Sequence, residues 1–559
     1  MYWTSAAAVF ALRVFLAGQQ DLYIWVGGAP LDDELMYRAA QSITAGHWLG
    51  TYDYLTLSKQ MFFAVWLAFC HTVHVPYLAA GQLLMCGAAL AMAQALAPVL
   101  RSYRGRFLLF AALAFSPAAA ASFTLRVYRD NIFPAECLLL FAGLTGVAMR
   151  SRQGLRHWWG WLVLAGVGLG TARLTREDGI WLLPFAVVGT ALILGAVWLQ
   201  KDTPRRARLA RSAALLVPFG ILAGGVLAMS AMNWCWYGVF ATSDFSEGSF
   251  ADAYGAMTRL QSETVTTDRV PVPRDVREKL YVAVPQLRCL EYWLEYYQPL
   301  RCAYESRESG DYEAGSFYWV LRRAAQQEGV YDSAQDSDAY WREVADAINA
   351  AINDGTLKAN HGPRRTTTPI IRPSLVAPTL REAAKSLVYC LTFRDCSCYL
   401  NTASGLSMAT PEDAAAYKAY LGDLPNYAAI ENSDLPYYTP RQLRVYRAVN
   451  AVWAVYAAVL PAAFCAALVL QARRLVQMVR RRSADGLLLW LTLLGILLMA
   501  LLRCAIIAFM EVAAFNIGTY VMYLSSVHPL LITYAAAGIL TGWPRRTAPQ
   551  RAADAPAQP

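Results

Sequence analysis

Residues 480–507 read RRRSADGLLLWLTLLGILLMALLRCAII, and within the apolar part, 487–507, the only charged residue is Arg503. A helix needs about 20 apolar residues to cross the ~30 Å hydrocarbon core of a membrane. Short loops rich in arginine and lysine mark the cytoplasmic side. This stretch therefore predicts a membrane-spanning helix that begins on the cytoplasmic side.

The same alternation of basic clusters and apolar stretches recurs along the chain and sets the predicted topology. The clusters are Arg101/Arg104/Arg106, Arg150/Arg152/Arg156, Lys201/Arg205/Arg206/Arg208/Arg211, Arg473/Arg474/Arg480/Arg481/Arg482 and Arg546/Arg547/Arg551. With all of them in the cytoplasm, spans follow at 2–24, 77–99, 107–124, 131–149, 159–173, 178–198, 212–236, 447–470, 487–507 and 516–540. The apolar segment 61–75 is too short to span, so we expect an interfacial helix there on the outer side.

The charge content agrees with a membrane protein and excludes several other classes. The chain has 559 residues, of which 57% are hydrophobic and 16% are charged, whereas soluble proteins carry about 25% charged residues. Residues 238–445 hold 27 of the 40 acidic and 21 of the 49 basic residues, which gives a net charge of −6 there and +15 elsewhere. Because the positive charge is divided among short loops, no nucleic-acid-binding surface is predicted. A soluble enzyme and a disordered chain are excluded as well.

These features predict an all-α polytopic membrane protein with about 10 transmembrane helices, juxtamembrane helices and a mainly α-helical external domain. Its parts are a transmembrane module at 1–237 with a first external loop at 25–76, an external domain at 238–446, C-terminal transmembrane helices at 447–545 and a cytoplasmic tail at 546–559. We expect the chain in the cytoplasmic membrane. Since Arg13 interrupts the first apolar stretch, we also expect that the natural start lies upstream or that the first helix is clipped.

Five cysteines fall in the external part, where disulfides can persist. We expect Cys289 to pair with Cys302, and Cys390 to pair with Cys396 or Cys398. The odd number leaves one thiol over. A zinc site and free thiols are the alternatives.

Three external turns carry the acidic and basic residues that could do chemistry. The first contains Asp32-Asp33-Glu34, and the others are residues 126–131 and 173–178. Adjacent carboxylates raise at least one pKa unless a cation is near, although such a run also starts a helix without any further role. Charge at the membrane edge is inexpensive, but three such turns on one face predict a charged, outward-facing cavity.

Several short motifs follow one another in the first part of the chain. In order they are Asp33-Glu34-x-x-Tyr37, Gly46-x-Trp48, Tyr52-Asp53-x5-Lys59, the interfacial helix, two spans and Asp130. This order resembles the membrane glycosyltransferases with the GT-C fold, in particular the protein O-mannosyltransferases and the lipid A aminoarabinose transferases. The resemblance covers residues 1–260. It departs at Lys59, which precedes Gln60-Met61 where those families have Pro-Pro.

The resemblance implies an inverting transfer of a sugar from a polyprenyl-phosphate carrier to an acceptor hydroxyl on a protein, lipid or envelope glycan. Such a displacement needs a base on the acceptor side. By the resemblance Asp33 is this base and Glu34 supports it. Asp130 orients the acceptor, caps its span or holds a metal with Asp33. The family includes metal-dependent and metal-independent members. The cofactor that the metal-dependent members imply is a divalent cation, Mg²⁺ or Mn²⁺.

The departing lipid phosphate needs cationic stabilisation, for which arginine is well suited. The candidates are Lys59 by the resemblance and Arg126, Arg129, Arg176, Arg503 and Arg259 by position. We also expect Arg503 to pair with Glu511 at the outer edge of the membrane.

Two other functions stay open. A transporter or flippase would show repeated halves and charges near the membrane midplane, whereas here the charges gather at the outer edge. A non-catalytic envelope assembly protein, whose external part binds partners, has the same topology. Sugar transfer by membranes that contain the chain distinguishes these functions from a glycosyltransferase.

Overall fold

The computed structural model describes residues 2–26, 30–200, 202–245, 247–264, 269–360, 369, 371–398, 407–426, 438–518 and 520–542. These residues form helices and no β-sheet, with only isolated bridges such as the parallel one between Tyr23 and Arg126. The α-helices are α1 (Tyr2–Ala17), α2 (Leu35–Thr44), α3 (Phe62–Thr72), α4 (Tyr77–Ala95), α5 (Tyr103–Ala114), α6 (Ser122–Leu125), α7 (Phe133–Met149), α8 (Trp159–Thr175), α9 (Leu183–Trp198), α10 (Arg205–Ala214), α11 (Val217–Tyr237), α12 (Gly248–Met257), α13 (Arg274–Ala283), α14 (Gln298–Tyr304), α15 (Ala314–Gln327), α16 (Ala334–Asn353), α17 (Pro373–Leu391), α18 (Pro411–Leu421), α19 (Pro440–Arg481), α20 (Leu487–Met510) and α21 (Val527–Gly542).

Among the described residues, six helical stretches are long and apolar enough to cross a membrane. They are Tyr77–Ala95, Arg129–Met149, Glu177–Trp198, Arg205–Tyr237, Pro440–Arg481 and Leu487–Ala514. Shorter apolar helices lie at Tyr2–Ala17, Phe62–Thr72 and Val527–Gly542. The chain is an all-α polytopic membrane protein, and the predicted fold class is confirmed.

Each of the ten predicted spans overlaps a helix, but three of those helices fall short of the predicted bounds by seven or more residues. Helix α1 ends at Ala17, after which the chain runs extended, with the Leu22 N–H donating to the carbonyl of Leu424 at 3.1 Å. Helix α5 ends at Ala114 because Pro117, which has no N–H, opens a separate 3₁₀ turn.

The last predicted span, 516–540, is the third that is shorter. Asn516 and Gly518 have φ angles of 50° and 75°, in the left-handed region that ends helices. Helix α21 begins only at Val527, so the residues directly before it lie outside the helix.

Helices α7 and α8 approach so closely that their contact requires glycine. A Cβ atom on Gly146 would lie 2.3 Å from the ring of Trp161. Small residues allow the backbones of two membrane helices to come together. Consequently the turn before α7, residues 126–131, lies beside the turn after α8, residues 173–178.

The helices of residues 238–445 pack in three places. Helices α12 to α16 share a hydrophobic core of their own, in which the rings of Phe250 and Trp341 lie edge to face, 4.9 Å apart. Helix α17 packs against α20, and α18 packs against α3 and also against α2, on which Tyr37 stacks with Tyr417. The compact part of the predicted external domain is therefore α12 to α16, and its predicted end at residue 446 lies inside α19.

The disulfides predicted for this part are wrong, because all five of its cysteines are free thiols. The Sγ of Cys289 lies 3.2 Å from the carbonyl of Gln286, whereas the Sγ of Cys302 lies 4.0 Å from the side chain of Gln298. These two thiols face different neighbours. Cys396 is buried with its Sγ 3.9 Å from the Nε2 of His528.

Candidate active site

Ten charged residues from the three turns that were predicted to be external, the loop before α3 and helix α20 meet at one end of the helix bundle. They are Asp32, Asp33, Lys59, Arg126, Arg129, Asp130, Arg176, Glu177, Asp178 and Arg503. Five are cations and five are carboxylates, so this charged cluster is balanced as a whole. The contact between α7 and α8 brings two of the turns together, and the extended segment after α1 brings in the third.

Asp33 is completely buried against Arg126. The Nε of Arg126 donates to both carboxylate oxygens, at 2.8 and 3.0 Å, and the backbone N–H of Trp25 donates to Oδ2 at 3.1 Å. Burial raises the pKa of Asp33 to about 6, although the charge of Arg126 opposes this. Asp33 is therefore ionised at neutral pH but takes up a proton more readily than an exposed aspartate.

Asp32 lies on the open side of the same turn, and its side chain is 33% exposed. Its carboxylate accepts hydrogen bonds from the Nζ of Lys59 and, at 2.9 Å, from the hydroxyl of Tyr128. Burial alone would raise the pKa of Asp32, but Lys59 and Arg126 outweigh it and lower the pKa below its usual value. Burial also lowers the pKa of Lys59, and the negative charge of Asp32 opposes that shift.

Arg129 and Glu177 connect the turn before α7 to the turn after α8. The Nη1 of Arg129 donates to the two oxygens of Glu177, at 2.8 and 2.7 Å. Its Nη2 donates to the hydroxyl of Tyr128 at 2.7 Å. Glu177 also accepts from the backbone N–H of Gln60 at 2.8 Å, so the residue after Lys59 is tied to the same pair.

Asp130, Arg176, Asp178 and Arg503 form the other half of the cluster. The Nη1 of Arg176 donates to Asp130 at 3.1 Å, and its Nε donates to Asp178 at 3.1 Å. The Nη1 of Arg503 donates to Asp178 at 2.6 Å, and Ser525 donates to Asp130 at 2.9 Å. The predicted pair between Arg503 and Glu511 is wrong, because α20 turns Arg503 toward the turn after α8.

Two guanidinium groups of the cluster have nitrogen atoms without a partner among the described residues. The Nε of Arg129 and the Nη2 of Arg503 are buried and donate no hydrogen bond. The Nη2 of Arg126 donates none either, but it forms an ion pair with Asp33. Buried polar groups in proteins are nearly always hydrogen-bonded. An anion that accepts hydrogen bonds at these positions would satisfy both groups.

The structure brings seven of the nine predicted site residues into the charged cluster and leaves two outside. Glu34 pairs with Arg38 one turn along on α2. Arg259 lies at the end of α12, where its backbone carbonyl accepts from Asn360 at 2.8 Å, and none of its described contacts involves the cluster. Tyr128 was missed, although it stands within the predicted turn, because nothing in the sequence shows that its hydroxyl faces Asp32.

The two residues proposed to hold a divalent cation are already neutralised by arginines. Both oxygens of Asp33 accept from Arg126, and both oxygens of Asp130 lie within hydrogen-bonding distance of Arg176. Among the described residues, no group of three or more histidine, cysteine or acidic side chains could hold a metal ion. Asp33 and Asp130 therefore do not fit a metal site in this conformation.

No known family profile and no curated protein matches the chain. Two crystal structures of ArnT from Cupriavidus metallidurans, one in the apo state and one bound to undecaprenyl phosphate, are similar to it. Each is 13% identical in sequence to this chain. The alignments cover 96% of this chain and 78% of the ArnT chain, with TM-scores of 0.30 and 0.29.

ArnT is a lipid A aminoarabinose transferase, which is one of the families that the motif order resembles. At these TM-scores the likeness carries no argument about function. The class that the fold and the site define is an all-α polytopic membrane protein with a buried, balanced charged cluster at one end of its bundle.

Proposed function

We propose that the chain is an inverting glycosyltransferase, which moves a sugar from a polyprenyl-phosphate carrier to an acceptor hydroxyl on the outer face of the cytoplasmic membrane. The observation that supports this most is the charged cluster, because it places carboxylates beside cations at the end of a membrane-embedded bundle. A lipid phosphate would meet the cations there, and an acceptor hydroxyl would meet the carboxylates. The acceptor is a hydroxyl of a protein, a lipid or an envelope glycan.

The proposed reaction forms one bond and breaks one bond at the anomeric carbon. The acceptor oxygen attacks this carbon, its proton passes to a carboxylate, and the bond to the carrier phosphate breaks. The polyprenyl phosphate leaves with the electron pair. Because that phosphate is already ionised at neutral pH, it needs nearby cations more than a proton.

Asp33 is proposed as the base, as the motif assigns. In the structure Asp33 is bound to Arg126, so its strength as a base depends on the position of Arg126. A lipid phosphate that draws Arg126 toward itself would leave Asp33 with a weaker partner and make it a stronger base. Glu34, outside the cluster, is proposed to support the turn through its pair with Arg38.

Asp32 is the competing candidate for the base, and its exposure is the specific reason. It is 33% exposed, whereas Asp33 is 0% exposed. The two candidates differ in pKa: that of Asp33 is raised to about 6 and that of Asp32 is lowered. The pH at which activity is lost in acid therefore distinguishes them.

The cations are proposed to stabilise the leaving phosphate. Lys59 is next to the more exposed aspartate, and Arg129 and Arg503 carry the unpartnered nitrogen atoms. Asp130 is proposed to orient Arg176, which donates to both Asp130 and Asp178. Charge-assisted hydrogen bonds to phosphate are about twice as strong as neutral ones.

The proposed function is tested with membranes that contain the wild type, Asp32→Asn or Asp33→Asn, supplied with undecaprenyl-phosphate sugars. We expect transfer of labelled sugar to a membrane acceptor with the wild type and loss of transfer with the variant that lacks the base. Absence of transfer by the wild type from every carrier sugar offered would contradict the proposal and favour a binding or transport protein.

A further inference from the structure

The loop that carries Lys59, residues 51–60, is stabilised by hydrogen bonds within its own turn and by hydrogen bonds from other parts of the chain. Within the loop, the side chain of Asp53 accepts from the backbone N–H groups of Leu55 and Thr56, at 2.8 and 2.9 Å. Leu57 is buried and has a left-handed φ of 59°, which is costly for a residue with a side chain. The loop therefore needs further contacts to keep this shape.

Arg322 on α15 supplies two of these contacts from a completely buried position. Its Nε donates to the carbonyl of Tyr54 at 2.7 Å, and its Nη2 donates to that of Thr56 at 3.3 Å. Its Nη1 pairs with Asp244 at 3.2 Å. The backbone N–H of Asp244 in turn donates to the carbonyl of Leu57 at 2.7 Å.

Two further residues of α15, Tyr318 and Trp319, extend the contact between this helix and the loop as far as Lys59. The hydroxyl of Tyr318 donates to the carbonyl of Ser58 at 3.1 Å. The Nζ of Lys59 lies 5.3 Å from the ring centroid of Trp319 and 5.5 Å from the ring centroid of Tyr128. A lysine ammonium within about 6 Å of an aromatic ring is attracted to it.

We propose that the helical unit α12 to α16 positions Lys59, with Arg322 and Tyr318 as positioning residues that fix the backbone of its loop. The function of this part of the chain is then to complete the charged cluster. The inference deepens the proposed function, because it makes the position of the cation for the donor phosphate depend on a segment more than 250 residues further along the chain. The position of Lys59 itself can be measured without any assumption about the reaction.

The test measures the acylation rate of Lys59 in the full-length protein in detergent, by peptide mass spectrometry at fixed pH. In the wild type the buried ammonium, paired with Asp32, reacts slowly. Tyr318→Phe removes a single hydrogen bond to the loop, and we expect Lys59 to react several times faster. Arg322→Gln removes two such bonds, and we expect a larger increase, while the exposed Lys385 reacts at the wild-type rate in both variants.

Matched controls separate loop positioning from general damage. Tyr340→Phe also removes one hydroxyl-to-carbonyl bond, to Gln286 at 2.7 Å, but inside the helical unit and away from the loop. Arg342→Gln removes an exposed pair with Asp338. Both controls are expected to leave the reactivity of Lys59 unchanged. Should Arg322→Gln fail to fold, Tyr318→Phe with its control still decides the matter.

The outcomes also separate this inference from the proposed function. Wild-type reactivity of Lys59 in folded Tyr318→Phe and Arg322→Gln would overturn the inference, and so would an equal increase in Tyr340→Phe. Undecaprenyl phosphate is then added to the wild type as a probe. If it does not protect Lys59 while the two variants still expose it, the positioning role stands and the phosphate role of Lys59 fails.

Discussion

Asp33 accepts two hydrogen bonds from the Nε of Arg126, at 2.8 and 3.0 Å, and its side chain is completely buried. Arg126 stands in the turn before α7, so this pair joins the loop between α1 and α2 to the membrane bundle. It also couples the basicity of the aspartate to the position of the arginine. The proposed reaction uses both properties, since a phosphate that attracts Arg126 would free Asp33.

The pH profile of transfer identifies the base. If Asp33 accepts the proton, kcat/KM rises with pH through about 6, because the pKa of Asp33 is raised to about 6 and only the ionised form is active. At pH 5 the rate is then expected to be about tenfold below its plateau. With Asp32 as the base, whose pKa is lowered, no such loss occurs at pH 5. A rate that is flat from pH 5 to 8 would contradict the assignment to Asp33.

Removal of Arg126 is expected to destabilise the protein as well as to abolish transfer. Arg126→Gln leaves a buried carboxylate without its partner, and breaking a buried ion pair costs about 3–5 kcal/mol. We expect a clearly lower thermal unfolding temperature in detergent, which Asp33→Asn in the same chain partly restores. Arg342→Gln, which breaks an exposed pair worth about 1 kcal/mol or less, is the control. Equal effects of the two single substitutions would show that the buried pair does not matter.

Lys59 is expected to contribute directly to phosphate binding. Lys59→Ala removes a charge-assisted donor, and we expect the affinity for undecaprenyl phosphate to fall about 10- to 100-fold. Direct binding of the radiolabelled lipid phosphate to the purified protein measures this. Lys385→Ala, at an exposed position on α17, is expected to bind as the wild type does. Unchanged binding by Lys59→Ala would remove this residue from the site.

The contact between α7 and α8 is expected to be as important as any charge in the cluster. Gly146→Ala would place a methyl group 2.3 Å from the ring of Trp161, and overpacking of this kind costs about 1–3 kcal/mol. We expect lower thermal stability and reduced transfer, because α7 and α8 are forced apart and the two turns at the other end of this helix pair separate. Gly160→Ala on α8, where a Cβ would meet nothing within 4 Å, is the matched control. If the two variants behave alike, the close approach does not position the site.

The positions of the membrane helices and most members of the charged cluster could be predicted from the sequence. Apolar length and basic loops are local properties, so they predicted a helix at every span. The capping box at the start of α18, formed by Thr410 and Asp413, is an interaction of the same local kind. The last predicted span was too long at its start, because Asn516 and Gly518 adopt left-handed backbone conformations that interrupt the helix.

The pairing inside the cluster could not be predicted, because it depends on how distant helices pack. Arg503 was expected to pair with Glu511, eight residues away, but it pairs with Asp178, which is brought to it by the packing of α20 on the bundle. In the same way nothing near Lys59 shows that Arg322 holds its loop. Such contacts are decided by tertiary structure, in which a charged side chain takes whichever partner shares its buried position.

The most direct test of the proposed function follows the carrier-linked sugars in living cells. Polyprenyl-phosphate sugars are quantified by mass spectrometry in cells without the gene, and in the same cells that express the wild type or Asp33→Asn. The account predicts that one polyprenyl-phosphate sugar accumulates without the gene, returns to its normal level with the wild type and stays high with Asp33→Asn. An unchanged set of lipid-linked sugars in the cells without the gene would contradict it.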